Sequence, residues 1–117
     1  MPEARPFHFR PYRVEARLAL EFTCGGVKLQ GVSRDISCNG VRAILNGKLA
    51  IGDRGLLMIH SDRKCLELHA RVKYIDQGET AFTFSFDSPW ERDRVTDLIK
   101  RIQRTSSSGN AIRKSPG

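Results

Sequence analysis

Residues 66–74 read LELHARVKY, a stretch in which every second residue is apolar or aromatic. This period of two is typical of a β-strand that buries one face and exposes the other. The charged or polar residues between the apolar ones would face solvent, as in one strand of an antiparallel sheet. The residues that would face the core are Leu66, Leu68, Ala70, Val72 and Tyr74.

Similar short runs precede and follow this stretch, and turn residues such as Asn46-Gly47 separate them. Six short strands that each have one apolar face predict a closed or nearly closed antiparallel (split) β-barrel, because closure removes exposed strand edges. The other five runs cover residues 16–22, 27–33, 41–45, 55–60 and 82–86.

The period changes after the last strand. Ser88-Pro89-Trp90-Glu91 has the residues of a helix start, with proline at the first helical position. Apolar residues then recur at helical spacing, which predicts one helix packed on the barrel. We therefore expect a flexible basic arm at residues 1–12, a barrel with its terminal helix at residues 13–104, and a disordered tail at residues 105–117.

The chain has 117 residues and a formal net charge of +7, which favours an anionic partner. It contains no apolar run long enough for a membrane helix and no apolar region near its start typical of a secretory signal, so we expect a cytoplasmic protein without membrane contacts. Cys24, Cys38 and Cys65 are widely spaced, and the three histidines form no ligand pattern, so neither a disulfide framework, a metal site nor a cofactor is expected. No catalytic motif is evident, so we expect no enzyme activity.

Residues 35–40 read DISCNG, and arginines precede the first strand at positions 10, 13 and 17. Asp35 and Ser37 have side-chain oxygens that can accept hydrogen bonds from nearby backbone N–H groups, which favours a turn. Asn39-Gly40 can adopt positive φ at little steric cost. Taken alone, the hexapeptide is consistent with an ordinary turn, and the arginines with a solvated basic segment.

Together the two elements resemble the two-part ligand motif of PilZ domains, which are bacterial receptors for cyclic di-GMP. In that family an arginine-rich segment precedes the first strand, and Asp-x-Ser-x-x-Gly follows the second. Asp35, Ser37 and Gly40 match every fixed position of the second element. The similarity includes the six strands, the Phe-rich last strand and the capped helix, and it covers about residues 7–102.

The resemblance implies a signalling receptor whose ligand is cyclic di-GMP. Arg10 and Arg13 would contact the ligand, since the guanidinium fork pairs with phosphate oxygens and with guanine O6 and N7. Asp35 would accept hydrogen bonds from a guanine edge, and Ser37 would add a hydroxyl contact. Gly40 would allow close backbone approach. Further candidates for ligand contact are Phe9, Arg17 and Asn39.

The first element of the family is usually written Arg-x-x-x-Arg, and this chain allows two alignments. Arg13 and Arg17 fit the pattern literally. Family members typically place an apolar residue and a short lead into the first strand after the second arginine, which fits Arg13-Val14 better. We prefer this second alignment, which puts Phe9 where the first arginine is expected and Arg10 beside it.

The resemblance also implies that residues 1–12 fold over the ligand. An unidentified downstream protein would then recognise the ordered segment. The alternative is a PilZ-like adaptor that contacts proteins and does not bind the nucleotide, which Phe9 favours. A basic barrel that binds RNA or single-stranded DNA is disfavoured, because stacking on bases requires exposed rings. Phe82, Phe84 and Phe86 alternate as core residues and leave few such rings.

Overall fold

The structure, a computed structural model, describes the backbone of residues 13–114 and the side chains of residues 13–104. The expected arm at residues 1–12 therefore lies outside the described residues. The elements are β1 (Val14–Glu15), β2 (Ala19–Cys24), β3 (Val27–Ile36), β4 (Gly40–Leu45), β5 (Arg54–Ser61), β6 (Lys64–Asp76), β7 (Glu79–Ser85) and α1 (Pro89–Lys114).

The six longer strands form a closed antiparallel barrel, which confirms the fold predicted from the sequence. The strand order is β3-β2-β5-β6-β7-β4, and β4 pairs again with β3. Because the sheet closes on itself, each of these strands has a hydrogen-bonded neighbour on both sides. The short β1 pairs with the end of β3, beside the β2–β3 ladder.

The barrel interior is filled by the apolar residues of the alternating runs. Phe22 from β2 and Phe82 from β7 meet at the centre, with ring centroids 4.7 Å apart. Phe84 is also buried, as its position in the last strand predicts. The predicted core face of β6 is buried at Leu68, Ala70 and Val72.

Tyr74 is an exception, because it was predicted on the core face and its residue is 37% exposed. A register shift in the β6–β7 ladder between Val72 and Tyr74 interrupts the alternation. An extra residue in one strand of a pair moves every later side chain to the other face. The period of two therefore fails at this point of the strand.

The predicted first strand, residues 16–22, is also divided in the structure. Residues 16–18 separate β1 from β2, and the buried hydroxyl of Ser33 bonds to both ends of this segment. It accepts a hydrogen bond from the Leu18 N–H at 2.9 Å and donates to the Ala16 carbonyl. These bonds satisfy backbone groups that a continuous strand would have paired with its neighbour.

The helix begins at Pro89, as predicted, and buries Val95, Leu98 and Ile99 against the barrel. Its backbone is helical as far as Lys114, beyond the boundary predicted at residue 104. The disorder expected for residues 105–117 stays a prediction, and residues 115–117 lie outside the described chain. No helix in the described part of the chain has the length and apolar character needed to cross a membrane.

Candidate functional site

A buried carboxylate is held between two arginines at one end of the barrel. Asp35 is only 6% exposed. Arg13 donates to its Oδ1 at 2.6 Å, and Arg42 donates to its Oδ2 through Nε at 2.9 Å and through Nη2. Both carboxylate oxygens therefore accept charge-assisted hydrogen bonds, which makes burial of the charge tolerable.

Strand pairing explains how these three residues meet. Ile36 lies opposite Val41 across the β3–β4 hairpin, so Asp35 lies opposite Arg42. On the other side of β3, Glu15 of β1 pairs with Asp35 and brings Arg13, just before β1, beside the carboxylate. Two neighbours of one strand thus supply one arginine each.

The arginines also control the protonation state of the carboxyl group. Burial by itself raises the pKa of Asp35, but the hydrogen bond from Arg42 and the charge of Arg13 outweigh burial, so this pKa lies below its ordinary value. In turn, the hydrogen bond to Asp35 raises the pKa of Arg42 despite some desolvation. The cluster is therefore fully charged near neutral pH.

A polar cleft of about 290 Å³ opens beside this cluster. Arg42 and Asp35 form part of its wall. Arg34, which also lines the cleft, donates to Glu79 at 2.7 Å. The remaining lining residues are Glu15, Ala16 and Arg17. Three arginines against two carboxylates in the lining make the cleft suited to an anionic ligand.

Arg17 reaches this cleft from the segment between β1 and β2. The bonds from Ser33 hold both flanking residues, and the backbone N–H of Ala16 also donates to the Arg34 carbonyl at 3.1 Å. Arg17 itself is exposed. The buried Ser33 hydroxyl thus fixes the backbone on which an exposed cation of the cleft is carried.

The remaining motif residues form the turn next to the cleft. Ser37 is 1% exposed, and its hydroxyl accepts from the Asn39 N–H at 3.2 Å and lies 3.4 Å from the Gly40 carbonyl. Ser37 therefore caps the turn as expected from the sequence, whereas the oxygens of Asp35, expected to do the same, accept from arginines in the described contacts. However, neither Asn39 nor Gly40 is among the described residues with positive φ, so that expectation is wrong.

Gly40 is required for a different reason. A Cβ atom at this position would lie 2.1 Å from the Phe82 carbonyl oxygen of β7. The expected close approach therefore takes place between two strands of the barrel, and only a residue without a side chain permits it.

Within the described residues, no three His, Cys, Asp or Glu side chains come together as a cation site would require. The cleft instead presents guanidinium groups, which bind phosphate oxygens and guanine edges through paired N–H donors.

The sequence of this chain matches the family model of the PilZ domain over residues 5–102. The chain belongs to the PilZ domain family. The match begins before β1 and extends into α1, so it includes both elements of the ligand motif and the whole barrel. A search of curated protein sequences gave no match.

Solved structures of two PilZ domains and of a motility inhibitor share this fold. The PilZ domain of YcgR from Escherichia coli, solved with c-di-GMP, aligns with a TM-score of 0.78 at 16% identity, covering 88% of this chain and 97% of that one. The PilZ domain of CeSA from a cellulose-synthesizing bacterium gives 0.68 at 22% identity, covering 79% and 98%. The Bacillus subtilis inhibitor of motility MotI/DgrA gives 0.67 at 16% identity, covering 83% and 52%.

The structure brings together some of the predicted PilZ site residues and adds others. Arg13 and Asp35 are in contact, Arg17 lines the same cleft, and Ser37, Asn39 and Gly40 form the adjoining turn. Phe9 and Arg10 lie outside the described residues. The sequence analysis missed Arg34 and Arg42. A hairpin register centred on the turn would have revealed Arg42, because Asp35 and Arg42 are equally distant from its middle.

Proposed function

We propose that this PilZ domain is a cytoplasmic signalling receptor for cyclic di-GMP and has no catalytic activity of its own. The observation that supports this function best is the buried Asp35, which fixes Arg13 and Arg42 at the edge of an arginine-lined cleft. The YcgR domain with the same fold was solved with c-di-GMP, which makes this nucleotide the first ligand to test.

The ligand and the cleft are chemically complementary. Cyclic di-GMP carries two phosphates and two guanines, and arginine side chains can pair with both groups or stack on a base. Arg13 and Arg42 are already oriented by Asp35, so little side-chain freedom remains to be lost on binding.

In the proposed site, Asp35 acts mainly by positioning the two arginines. Both of its oxygens accept from arginines, so its first effect on binding is to hold those arginines in place. Oδ2 already accepts from both Nε and Nη2 of Arg42, but Oδ1 accepts only from Arg13 among the described contacts and keeps a second lone pair, so direct acceptance from a guanine edge, as the sequence predicted, is compatible with this arrangement. The ligand contacts of Ser37, Asn39 and Gly40 stay predictions.

The cleft of about 290 Å³ is at the small end of ordinary ligand sites, which run from about 300 to 1,000 Å³. We therefore infer that residues 1–12, with Arg10, complete the site by folding over the nucleotide. Arg13 lies at the junction of this segment with β1, directly on Asp35. Ordering of the segment is the proposed signal to a downstream protein.

Titration calorimetry of the full chain with cyclic di-GMP tests the receptor function and gives affinity and stoichiometry together. We expect saturable binding that neither GTP nor single-stranded RNA displaces at physiological salt. Absence of binding would favour the PilZ-like adaptor, for which Phe9 at an expected arginine position is the supporting observation. Equal competition by RNA would favour a nucleic-acid-binding barrel.

A further inference from the structure

A second groove lies away from the ligand cleft, between the β5–β6 hairpin and α1. Its volume is about 610 Å³, roughly twice that of the cleft. The hairpin supplies one wall and the helix the other. The lining residues are Ile59, Ser61, Lys64, Cys65 and Leu66 from the hairpin, and Arg94, Asp97, Leu98, Arg101 and Arg104 from the helix.

The groove combines an apolar floor with a basic rim. Ile59 and Leu98 are fully buried core residues beneath this floor, and its accessible apolar surface comes from Leu66, which packs partly buried against the core, and from the exposed Cys65. Three of the helix residues in the lining are arginines, and Lys64 adds a fourth positive charge against the single carboxylate of Asp97. These cations are absent from the salt bridges between described residues.

A smaller cavity of about 280 Å³ extends this groove toward the ligand cleft. It shares Ser61 and Arg101 with the groove and is also lined by Arg17. Arg17 lines the ligand cleft as well, so cationic side chains continue from one site to the other.

The two ends of this chain do not complement the groove. Residues 1–12 contain two arginines and one glutamate, and residues 105–117 contain Arg113 and Lys114 without any acidic residue. A second copy of the chain carries the same basic groove and a net charge of +7, so it has no surplus of carboxylates to pair with the rim cations. The occupant that the charges favour is therefore an acidic segment of another protein.

A nucleic acid fits this groove less well than a peptide. Binding of single strands without sequence preference uses aromatic rings on which bases stack. The lining residues include no aromatic side chain, and the floor is aliphatic. An aliphatic floor inside a charged rim is the usual anatomy of a protein-binding surface.

We propose that the groove between the β5–β6 hairpin and α1 docks an acidic amphipathic segment of a partner protein. Its leucine-type side chains would cover Leu66 and Cys65, and its carboxylates would pair with the rim cations. This docking is independent of whether the cleft binds the nucleotide.

The test uses isotope-labelled full-length chain and a synthetic helical peptide that carries glutamates on both sides of a leucine stripe. We expect saturable amide shifts confined to residues 59–66 and 94–104, which weaken as salt is raised. The double variant Arg94→Glu/Arg104→Glu should weaken peptide binding about tenfold or more and leave nucleotide affinity unchanged. Both residues are exposed, so the fold should tolerate the change.

The matched control is Lys48→Glu/Arg54→Glu, which makes the same change in net charge at two exposed positions outside the groove. This variant should bind the peptide within about twofold of the parent, because steering by net charge alone is weak at physiological salt. Equal loss in both variants, or equal binding of a peptide with lysines in place of glutamates, would overturn the proposal. It would also fall if single-stranded RNA displaced the peptide from the same amides.

Discussion

Asp35 is the residue on which the candidate site depends. It is buried, and its charge is balanced by Arg13 and Arg42 from two different neighbours of its strand. Loss of the arginines would leave a buried carboxylate without partners, which is strongly destabilising. Loss of the carboxylate would cost less, because the partly exposed arginines can be hydrated instead. The sequence did not reveal this burial, because residues 35–40 alone are consistent with an ordinary polar turn.

Replacement of either partner of the Arg13–Asp35 pair should weaken nucleotide binding. We expect Arg13→Ala and Asp35→Ala each to cost about 1–3 kcal/mol of binding free energy, the range for a bidentate guanine contact or its support. Calorimetry measures the loss, and circular dichroism should find both variants folded. Arg54→Ala, at an exposed position outside the cleft, is the control. Unchanged affinity in both variants would show that Arg13 and Asp35 do not belong to the nucleotide-binding site.

The lowered pKa of Asp35 makes a prediction about stability and pH. The folded-state pKa lies below the unfolded value. The interactions of ionised Asp35 with Arg42 and Arg13 therefore stabilise the fold fully above about pH 4, and this stabilisation is lost as the pH falls through the folded-state pKa. Asp35→Asn removes this contribution. The difference in free energy of unfolding between parent and variant should be constant from pH 5 to 7, approximately, and shrink below about pH 4. Urea unfolding across this range is the measurement, and a pH-independent difference would contradict it.

At the scale of elements, the turn between β3 and β4 sets the geometry of the site. It fixes the register that places Asp35 opposite Arg42, and it brings Gly40 against β7. The sequence located this turn correctly, because its residues favour turns locally. It did not reveal the approach of β7, whose residues are far away in the chain.

Gly40→Ala should lower the free energy of unfolding even without ligand, because the added side chain would disturb the packing of two barrel strands. The added Cβ would lie 2.1 Å from a backbone oxygen, so β4 and β7 must separate, at a cost of about 3 kcal/mol. Gly47→Ala is the matched control, because its Cβ would meet only the flexible end of Leu29 and should cost about 1 kcal/mol or less. Urea unfolding compares the two. Equal stability would mean that the strands can shift freely.

Substitutions in the segment before β2 distinguish the two possible alignments of the arginine motif. In our preferred alignment Phe9 stands where the family has its first arginine, so Phe9→Arg should tighten nucleotide binding by about 1 kcal/mol and increase its salt sensitivity. Arg17→Ala should cost less than Arg13→Ala, since Arg17 lines the cleft without contacting Asp35 in the described contacts. Calorimetry at two salt concentrations decides. Loss of binding in Arg17→Ala with no change in Phe9→Arg would support Arg13 and Arg17 as the motif pair.

At the scale of the molecule, a closed barrel carries the candidate site beside Arg13, where the described part of the chain begins. Closure leaves the six long strands without free edges, so the barrel is expected to be a fixed platform. Arg13 connects the platform to residues 1–12. A ligand that contacts both the barrel and residues 1–12 would order these residues and so change the surface that the domain presents to a partner.

Hydrogen exchange tests this signal directly. We expect cyclic di-GMP to slow amide exchange in residues 1–12 by about tenfold or more and to leave the barrel core unchanged, because ordering of this segment would protect its amides. Mass spectrometry of peptides from the full chain measures both regions in one experiment. Asp35→Ala at the same ligand concentration is the control. Nucleotide binding without protection of residues 1–12 would refute the ordering mechanism and retain the receptor.

The sequence by itself determined the approximate positions of the six long strands, the turn at residues 35–40 with its match to a ligand motif, and the start of the helix. These are local signals that a few neighbouring residues carry, and a closed barrel follows from six one-faced strands. Only the tertiary structure decided that Arg42 completes the Asp35 cluster, that Ser33 holds the segment bearing Arg17, and that Tyr74 leaves the core at a bulge. These features depend on which strands become neighbours and in which register, and alternation along one strand carries no information about either.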